Sequence, residues 1–452
     1  MVTGGLVGAN PDQLDELAAR MNSGADTLEA VRQAIFLSLR RTEWPGPDGD
    51  QFRHDWDHRH ARVIATAVTA LREAARVLRV NAAEQRGASL DGSGLVPPAL
   101  FGMVRSALDQ VRGFLGAGLA SIGYSRGTPS ENFAWWSGLT PERRAELIHE
   151  YPGLVGSMDG IPAADRDAAN RIRLERAVAD LPAQVAQLRE QLANGQITQE
   201  QFNQRALQLA AIRHLHDRLA RGEDLYLLGF DPSGEGRAIV AVGNPDTADH
   251  VATFVPGMDT TLASVNGHVS NMAALRDMAQ SLAPNESTSA ILWFDYDAPN
   301  GLMEAARATH AEAASENLDG FLDGLRASHV GEPSHNTIIG HSYGGKVVGI
   351  ADREETLAVD DMIFIGNPDI GVNHASELSV GAGHVYASVA PGDPIELVNI
   401  PLVTPAEEGF GSQQFTSHRT EVPDAHSSYF RQNSPAMFNQ AAIITGHGEF
   451  VY

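Results

Sequence analysis

Past Leu225 the chain carries short runs that are apolar at nearly every position: residues 238–242, 251–255, 290–294, 337–339, 362–365 and 385–389. A strand with one wet face alternates apolar and polar side chains, whereas a strand covered on both faces does not. Helical or loop stretches separate the runs. The pattern predicts a mostly parallel sheet with helices flanking it, an α/β domain over residues 226–452.

One junction in that domain carries chemistry. Gly340-His341-Ser342-Tyr343-Gly344 follows the run at 337–339 and precedes the helical stretch Lys346-Val347-Val348-Gly349-Ile350. A G-x-S-x-G placed strand–turn–helix is a nucleophile elbow. The serine sits on a turn with strained backbone angles, so its neighbours must be small for strand and helix to approach. Its hydroxyl then projects at a helix N-terminus, where backbone amides can stabilise an oxyanion. The competing reading is a glycine-rich βα turn with an incidental serine.

Such a serine needs an acid and a base, usually in the chain order Ser, Asp or Glu, His. Asp393, in Ala390-Pro391-Gly392-Asp393-Pro394 after the strand expected at 384–389, is the expected acid. Asp369, in Gly366-Asn367-Pro368-Asp369, is its rival, and a turn aspartate often only bonds its own backbone. Three histidines follow: His418 on a stretch (414–419) that reads as the last strand, His426 in the loop beyond it, and His447 near the end. His426 is the expected base. The second oxyanion amide is expected from the loop Val255-Pro256-Gly257-Met258, with Met258 beside Tyr343.

Upstream, the chain is helical. Asn10-Pro11 with Gln13 makes a helix start, and Leu14, Leu17, Met21, Leu28, Val31 and Ile35 recur at helical spacing. Trp44-Pro45-Gly46-Pro47-Asp48-Gly49 must turn, and Phe52, Trp56, Val63, Ala67, Leu71, Ala74 and Leu78 restore the period. This predicts a helical hairpin in residues 1–90, with a linker at 87–98. Residues 91–225 read as a helical region packing on or capping the sheet. It includes a helix pair around Asn194-Gly195, with Thr198 and Gln201 as a capping box.

Two resemblances follow from these motifs. Trp135-Trp136, Met158-Asp159-Gly160-Ile161-Pro162-Ala163, Arg166-Asp167, Ala169-Asn170-Arg171, Val255-Pro256-Gly257-Met258, Asp295-Tyr296-Asp297-Ala298-Pro299, the elbow, Pro391-Gly392-Asp393-Pro394-Ile395 and His426-Ser427-Ser428-Tyr429-Phe430 together resemble an actinobacterial α/β-hydrolase family long catalogued as a domain of unknown function. The resemblance covers roughly residues 130–445. It implies an α/β-hydrolase fold with Ser342, Asp393 and His426 as a triad, and it implies no substrate. Separately, Trp44-Pro45-Gly46 between two helices resembles the WXG proteins of type VII secretion. That family's export tail, a tyrosine followed four residues later by an acid, does not occur here, so either a partner supplies it or the hairpin is only an interaction module.

Other signals carry less. The 33 Lys and Arg against 57 Asp and Glu give a net charge of −24, which repels phosphate backbones and anionic bilayers and argues against nucleic-acid binding. No apolar run approaches the roughly 20 residues of a spanning helix. The chain has no cysteine, which removes disulfides and thiolate chemistry. The first residues resemble no ordinary secretory signal, so location is left open between cytoplasm and a type VII-like export route. His54 and His58 share a helix face without a third zinc ligand, and read as a solvated face. His214 and His216 read as surface residues, His341 as a side chain packing beside the sheet, and Trp135 and Trp136 as packing residues before pocket residues. The stretch 229–236 (GFDPSGEG) reads as a hairpin or turn, since it lacks a phosphate loop's lysine. The expected function is therefore serine-dependent hydrolysis of carboxylic or lipid esters, without a metal or organic cofactor, in a protein linked to secretion. The alternative is a non-catalytic, partner-binding protein with a degenerate hydrolase domain.

Overall fold

The computed structural model describes residues 127–397 and 403–452, with isolated positions at 21, 53, 56, 68, 72, 75 and 76. The expected N-terminal hairpin, its Trp44 and Phe52, the His54–His58 pair and the linker lie outside the described residues. Trp56, Val68 and Ala75, on the expected second helix, are buried. Residues 127–452 make one compact unit.

That unit is built on strands β1 (Leu225–Asp231), β2 (Arg237–Val242), β3 (His250–Val255), β4 (Thr288–Phe294), β5 (His335–His341), β6 (Asp361–Ile365), β7 (Val385–Ser388) and β8 (Gln413–Gln414). They form one sheet in the order β1-β2-β4-β3-β5-β6-β7-β8. Every residue of β3, β4 and β6 is buried, as strands covered on both faces must be. The helices that cover them are α1 (Pro129–Ser137), α2 (Pro141–Glu150), α3 (Pro152–Ser157), α4 (Ala163–Ala193), α5 (Gln199–Ala220), α6 (Leu262–Leu282), α7 (Ser315–Ser328), α8 (Tyr343–Glu355) and α9 (Pro435–Ile444). Helix α6 packs on β2, β4 and α9, while α7 and α8 pack together, α8 lying on β5 and β3. This is the expected α/β-hydrolase fold.

Two expectations about strands need correction. The apolar run at 238–242 suggests a parallel strand, but β2 is antiparallel to both β1 and β4. A hairpin turn with Gly234 and Gly236 at positive φ joins it to β1, and burial on both faces looks the same in either direction. The last strand is Gln413–Gln414 alone rather than 414–419. Beyond it the Thr416 amide donates to the Tyr452 carbonyl instead of a ladder partner.

The strand order sets the place of a site. The chain runs from β3 to β4 on one side and from β5 through β6 and β7 on the other. The carboxyl ends of β3 and β5, which are parallel neighbours, therefore flank a topological switch point, where crevices form in such sheets.

The helical region closes the opposite risk, an open sheet edge. β1 is the outermost strand, and its unpaired backbone groups would template another chain. Helix α4 satisfies them instead. Asn170 Nδ2 donates to the Leu227 and Gly156 carbonyls at 3.0 and 2.9 Å, and Arg171 donates to the Leu225 carbonyl at 3.0 Å. The Leu227 amide donates to Asp167 at 2.7 Å. A β-bulge lies between Leu227 and Gly229, and Arg166 Nε donates to the intervening Leu228 carbonyl at 2.8 Å. The motif residues 166–171 are thus an edge cap. Helix α5 starts on the expected capping box, with Gln201 N donating to Thr198 Oγ1 at 3.1 Å and Thr198 N to Gln201 Oε1 at 2.9 Å. Asn170 is fully buried, so Asn170→Ala leaves two carbonyls unpartnered and should lower unfolding free energy by about 1–3 kcal/mol. A urea midpoint that shifts down with unchanged slope is the expected result; an unshifted midpoint would show that α4 does not stabilise the edge.

Candidate active site

Ser342 joins β5 to α8 with φ +53° and ψ −126°, a conformation that costs a non-glycine residue about 1–3 kcal/mol. The glycines around it are sterically required. A Cβ on Gly344 would meet the Val255 and Pro256 carbonyl oxygens, and one on Gly340 would lie 2.6 Å from Gly345 Cα. The turn is pinned by its backbone: Ser342 N donates to the Ile365 carbonyl at 3.1 Å, and Asn367 Nδ2 donates to the Ser342 carbonyl at 2.6 Å. Tyr343 is the first residue of α8, so its amide has no intrahelical acceptor.

Asp393 lies in the loop after β7 and is 1% exposed. Its carboxylate accepts from His426 Nδ1 at 2.9 and 3.1 Å, from Tyr429 Oη at 2.6 Å and from the Ile395 amide at 2.9 Å. Burial alone would raise its pKa, but these hydrogen bonds outweigh it and hold the carboxyl below its ordinary value. A carboxylate only accepts, so it is Nδ1 of His426 that donates in this pair. His426 stands on a 3₁₀ turn, Ala425–Phe430, and is partly exposed. Among the described residues no hydrogen bond reaches Ser342 Oγ. Serine–histidine bonds are often long until substrate binds.

The rivals sit elsewhere. Asp369 pairs with Lys346 Nζ at 2.8 Å and accepts from the Gly371 amide at 2.7 Å. His418 is held by the Ser428 hydroxyl at 2.9 Å, and His447 stacks on Phe450. Met258 lies in the loop leaving β3. Its neighbour Gly257 packs so closely on the elbow that a Cβ there would be 2.7 Å from that of Ser342. Among the described residues no group of three His, Asp or Glu could hold a metal ion, and no helix is long and apolar enough to cross a membrane.

A family model described as alpha/beta hydrolase matches residues 231–405, a span that holds Ser342 and Asp393 and stops before His426. An uncharacterized protein of Mycobacterium tuberculosis is 31% identical over 368 residues, 70% of this chain and 55% of its own length. An uncharacterized protein of Mycobacterium bovis is 32% identical over 195 residues, which are 41% of this chain and 73% of that protein. The chain belongs to the α/β-hydrolase family. It spans just over half the length of the Mycobacterium tuberculosis relative. Two solved structures show slighter likenesses. A thermophilic carboxylesterase from a metagenomic library has a TM-score of 0.33 at 15% identity, over 55% of this chain and 98% of its own. A lipase-esterase related protein of Clostridium acetobutylicum has a TM-score of 0.21 at 13% identity, over 48% and 72%.

Within this α/β hydrolase three further side chains matter: Tyr429 and Asn367, to which the motifs give no role, and His341, for which packing is expected ahead of a place in the site. Tyr429 donates to Asp393 while its oxygen accepts from the Ala390 amide at 3.0 Å. Asn367 holds the elbow. His341 does more than pack beside the sheet. Its Nε2 lies 2.7 Å from the His426 carbonyl, which can only accept, and its ring is 4.8 Å from that of His426. Burial, then the charge of His426, pushes its pKa down to about 3, so it is a neutral donor. The expectation for the tryptophans is met by Trp136, fully buried and donating to Asp165 at 2.6 Å.

His268 on α6 packs 5.6 Å from Phe254, and burial pushes its pKa from 6.5 down to about 4. The folded chain therefore resists a proton that the unfolded chain accepts. The stability this site contributes is present above pH 6.5 and is lost as pH falls from 6.5 through 4. Replacing His268 with Leu should flatten the fall in stability across that window; an unchanged slope would mean that His268 titrates alike folded and unfolded.

Proposed function

We propose that the chain hydrolyses carboxylic or lipid esters with Ser342 as nucleophile, His426 as general base and Asp393 as the acid that orients it. The observation that carries this reading is the 2.9 Å Asp393–His426 bond, with His426 anchored by its carbonyl to His341, the residue before the strained serine. His426 Nε2 would take the Ser342 proton as Oγ attacks the ester carbonyl. The amides of Met258 and Tyr343 would hold the oxyanion, and His426 would return the proton to the leaving alkoxide. Water, activated by the same imidazole, would then release the acyl group. The preference for esters over peptides rests on analogy with the fold.

A panel of acyl esters of graded chain length tests the proposal. Ser342→Ala and His426→Ala should each lose on the order of 10⁴-fold in kcat while remaining folded. Asp393→Asn should lose turnover steeply by favouring the wrong imidazole tautomer. Asp369→Asn, which strips the buried Lys346 of its counter-charge, should lower stability more than turnover. The reverse ranking of the two aspartates, or full activity in folded His426→Ala, would overturn the assignment.

Residues 1–90 are proposed to bind a small helical WXG-type partner that supplies the export tail. The support is Trp44-Pro45-Gly46 between two apolar stripes, a short hairpin with little core of its own. Deleting residues 1–90 should abolish that complex and any export while leaving ester hydrolysis largely intact. An insoluble or inactive truncated chain would make the segment part of the catalytic core instead.

A further inference from the structure

The loop that leaves β3 is clamped by side chains outside the triad. Gly257 has no room for a Cβ against Ser342, so the backbone itself lies on the nucleophile, and the next amide is that of Met258. The orientation of that amide is the orientation of the Gly257–Met258 peptide plane. In a trans peptide the C=O and N–H point in opposite directions, so whatever fixes the Gly257 carbonyl fixes the Met258 N–H. Two hydroxyls reach that carbonyl. Thr260 Oγ1 donates to it at 2.8 Å, and Tyr296 Oη lies 3.3 Å from it while donating to the Pro256 carbonyl at 2.6 Å.

Neither hydroxyl is free to wander. Thr260 is 5% and Tyr296 2% exposed. The Tyr296 ring stacks on Trp293 at 6.1 Å and meets Phe294 edge-on at 6.0 Å. One residue further, Asp259 takes φ +59°, its amide donates to the Pro299 carbonyl at 3.0 Å, and its Oδ1 accepts from the Gly301 amide at 2.9 Å. Flipping the Gly257–Met258 peptide would break the Thr260 bond. It would also turn the Met258 N–H and the Gly257 carbonyl to opposite sides, and a carbonyl oxygen in the donor's place would repel an oxyanion.

We infer that Thr260 and Tyr296 are positioning residues that lock the Gly257–Met258 peptide with its N–H toward the oxyanion. The inference rests on the ester-hydrolase reading, because it needs a charge developing beside Ser342. A donor held in place before the reaction spends nothing on reorganisation when the charge appears. Its effect therefore belongs to the transition state and not to substrate binding.

The full chain with Thr260→Val, Thr260→Ser and Tyr296→Phe tests it, with an alkylboronate as a probe that forms a tetrahedral adduct on serine. Thr260→Val should lower kcat about 10–100-fold, a part of what removing an oxyanion donor costs, with KM within roughly threefold. Boronate affinity should weaken by the same factor as kcat/KM. Thr260→Ser, which keeps the hydroxyl, should restore both, and Tyr296→Phe should behave as Thr260→Val does. If Tyr296→Phe fails to fold, the valine–serine pair decides alone. Unchanged kcat and boronate affinity in Thr260→Val, or equal losses in valine and serine variants, would overturn the inference and leave the ester reading standing. A native chain with no Ser342-dependent turnover would overturn both.

Discussion

The close approach of α8 to the end of β3 is the contact on which the rest of the site depends. With no side chain at Gly344, the helix N-terminus presses on the Val255 and Pro256 carbonyls. That contact brings the loop after β3 against Ser342, so one junction serves the proposed nucleophile and both proposed oxyanion amides. It is also why Ser342 stays at a positive φ. The ladders of β3, β5 and β6 and the bonds from Ile365 and Asn367 fix the backbone on either side, so relaxation would break several interactions to relieve one strained residue.

Around that junction the polar side chains act in pairs. His341 and Asp393 hold His426 from its carbonyl and its ring nitrogen, and Tyr429 ties Asp393 to the Ala390 amide. A ring held at two points has its orientation defined before any substrate arrives. Thr260 and Tyr296 hold the Gly257 and Pro256 carbonyls of the loop after β3. The helices upstream stay out of this chemistry: α4 seals β1 at the far edge through Arg166, Asp167, Asn170 and Arg171, which keeps the sheet from adding another strand.

The elbow was legible in the sequence because sterics there restrict residue type at fixed spacing. The strands were legible because burial on both faces leaves them apolar. Direction was not legible for β2, since an antiparallel strand in a covered sheet has the same composition as a parallel one. Spacing only favoured Asp393 over Asp369, because both follow strands in glycine- and proline-bearing turns; in the fold Lys346 pairs with Asp369 and His426 with Asp393. The roles of His341, Tyr429, Thr260 and Tyr296 were hidden for a similar reason. Each acts across 30 or more residues or on a backbone carbonyl, and no local pattern announces such a bond.

Covalent labelling decides whether Ser342 is the nucleophile of this fold. The native full-length chain treated with a fluorophosphonate and mapped by peptide mass spectrometry should carry one adduct, on the peptide containing Ser342. The adduct should be absent from Ser342→Ala and formed far more slowly in His426→Ala. An adduct on another residue, or none on a folded chain, would contradict the account.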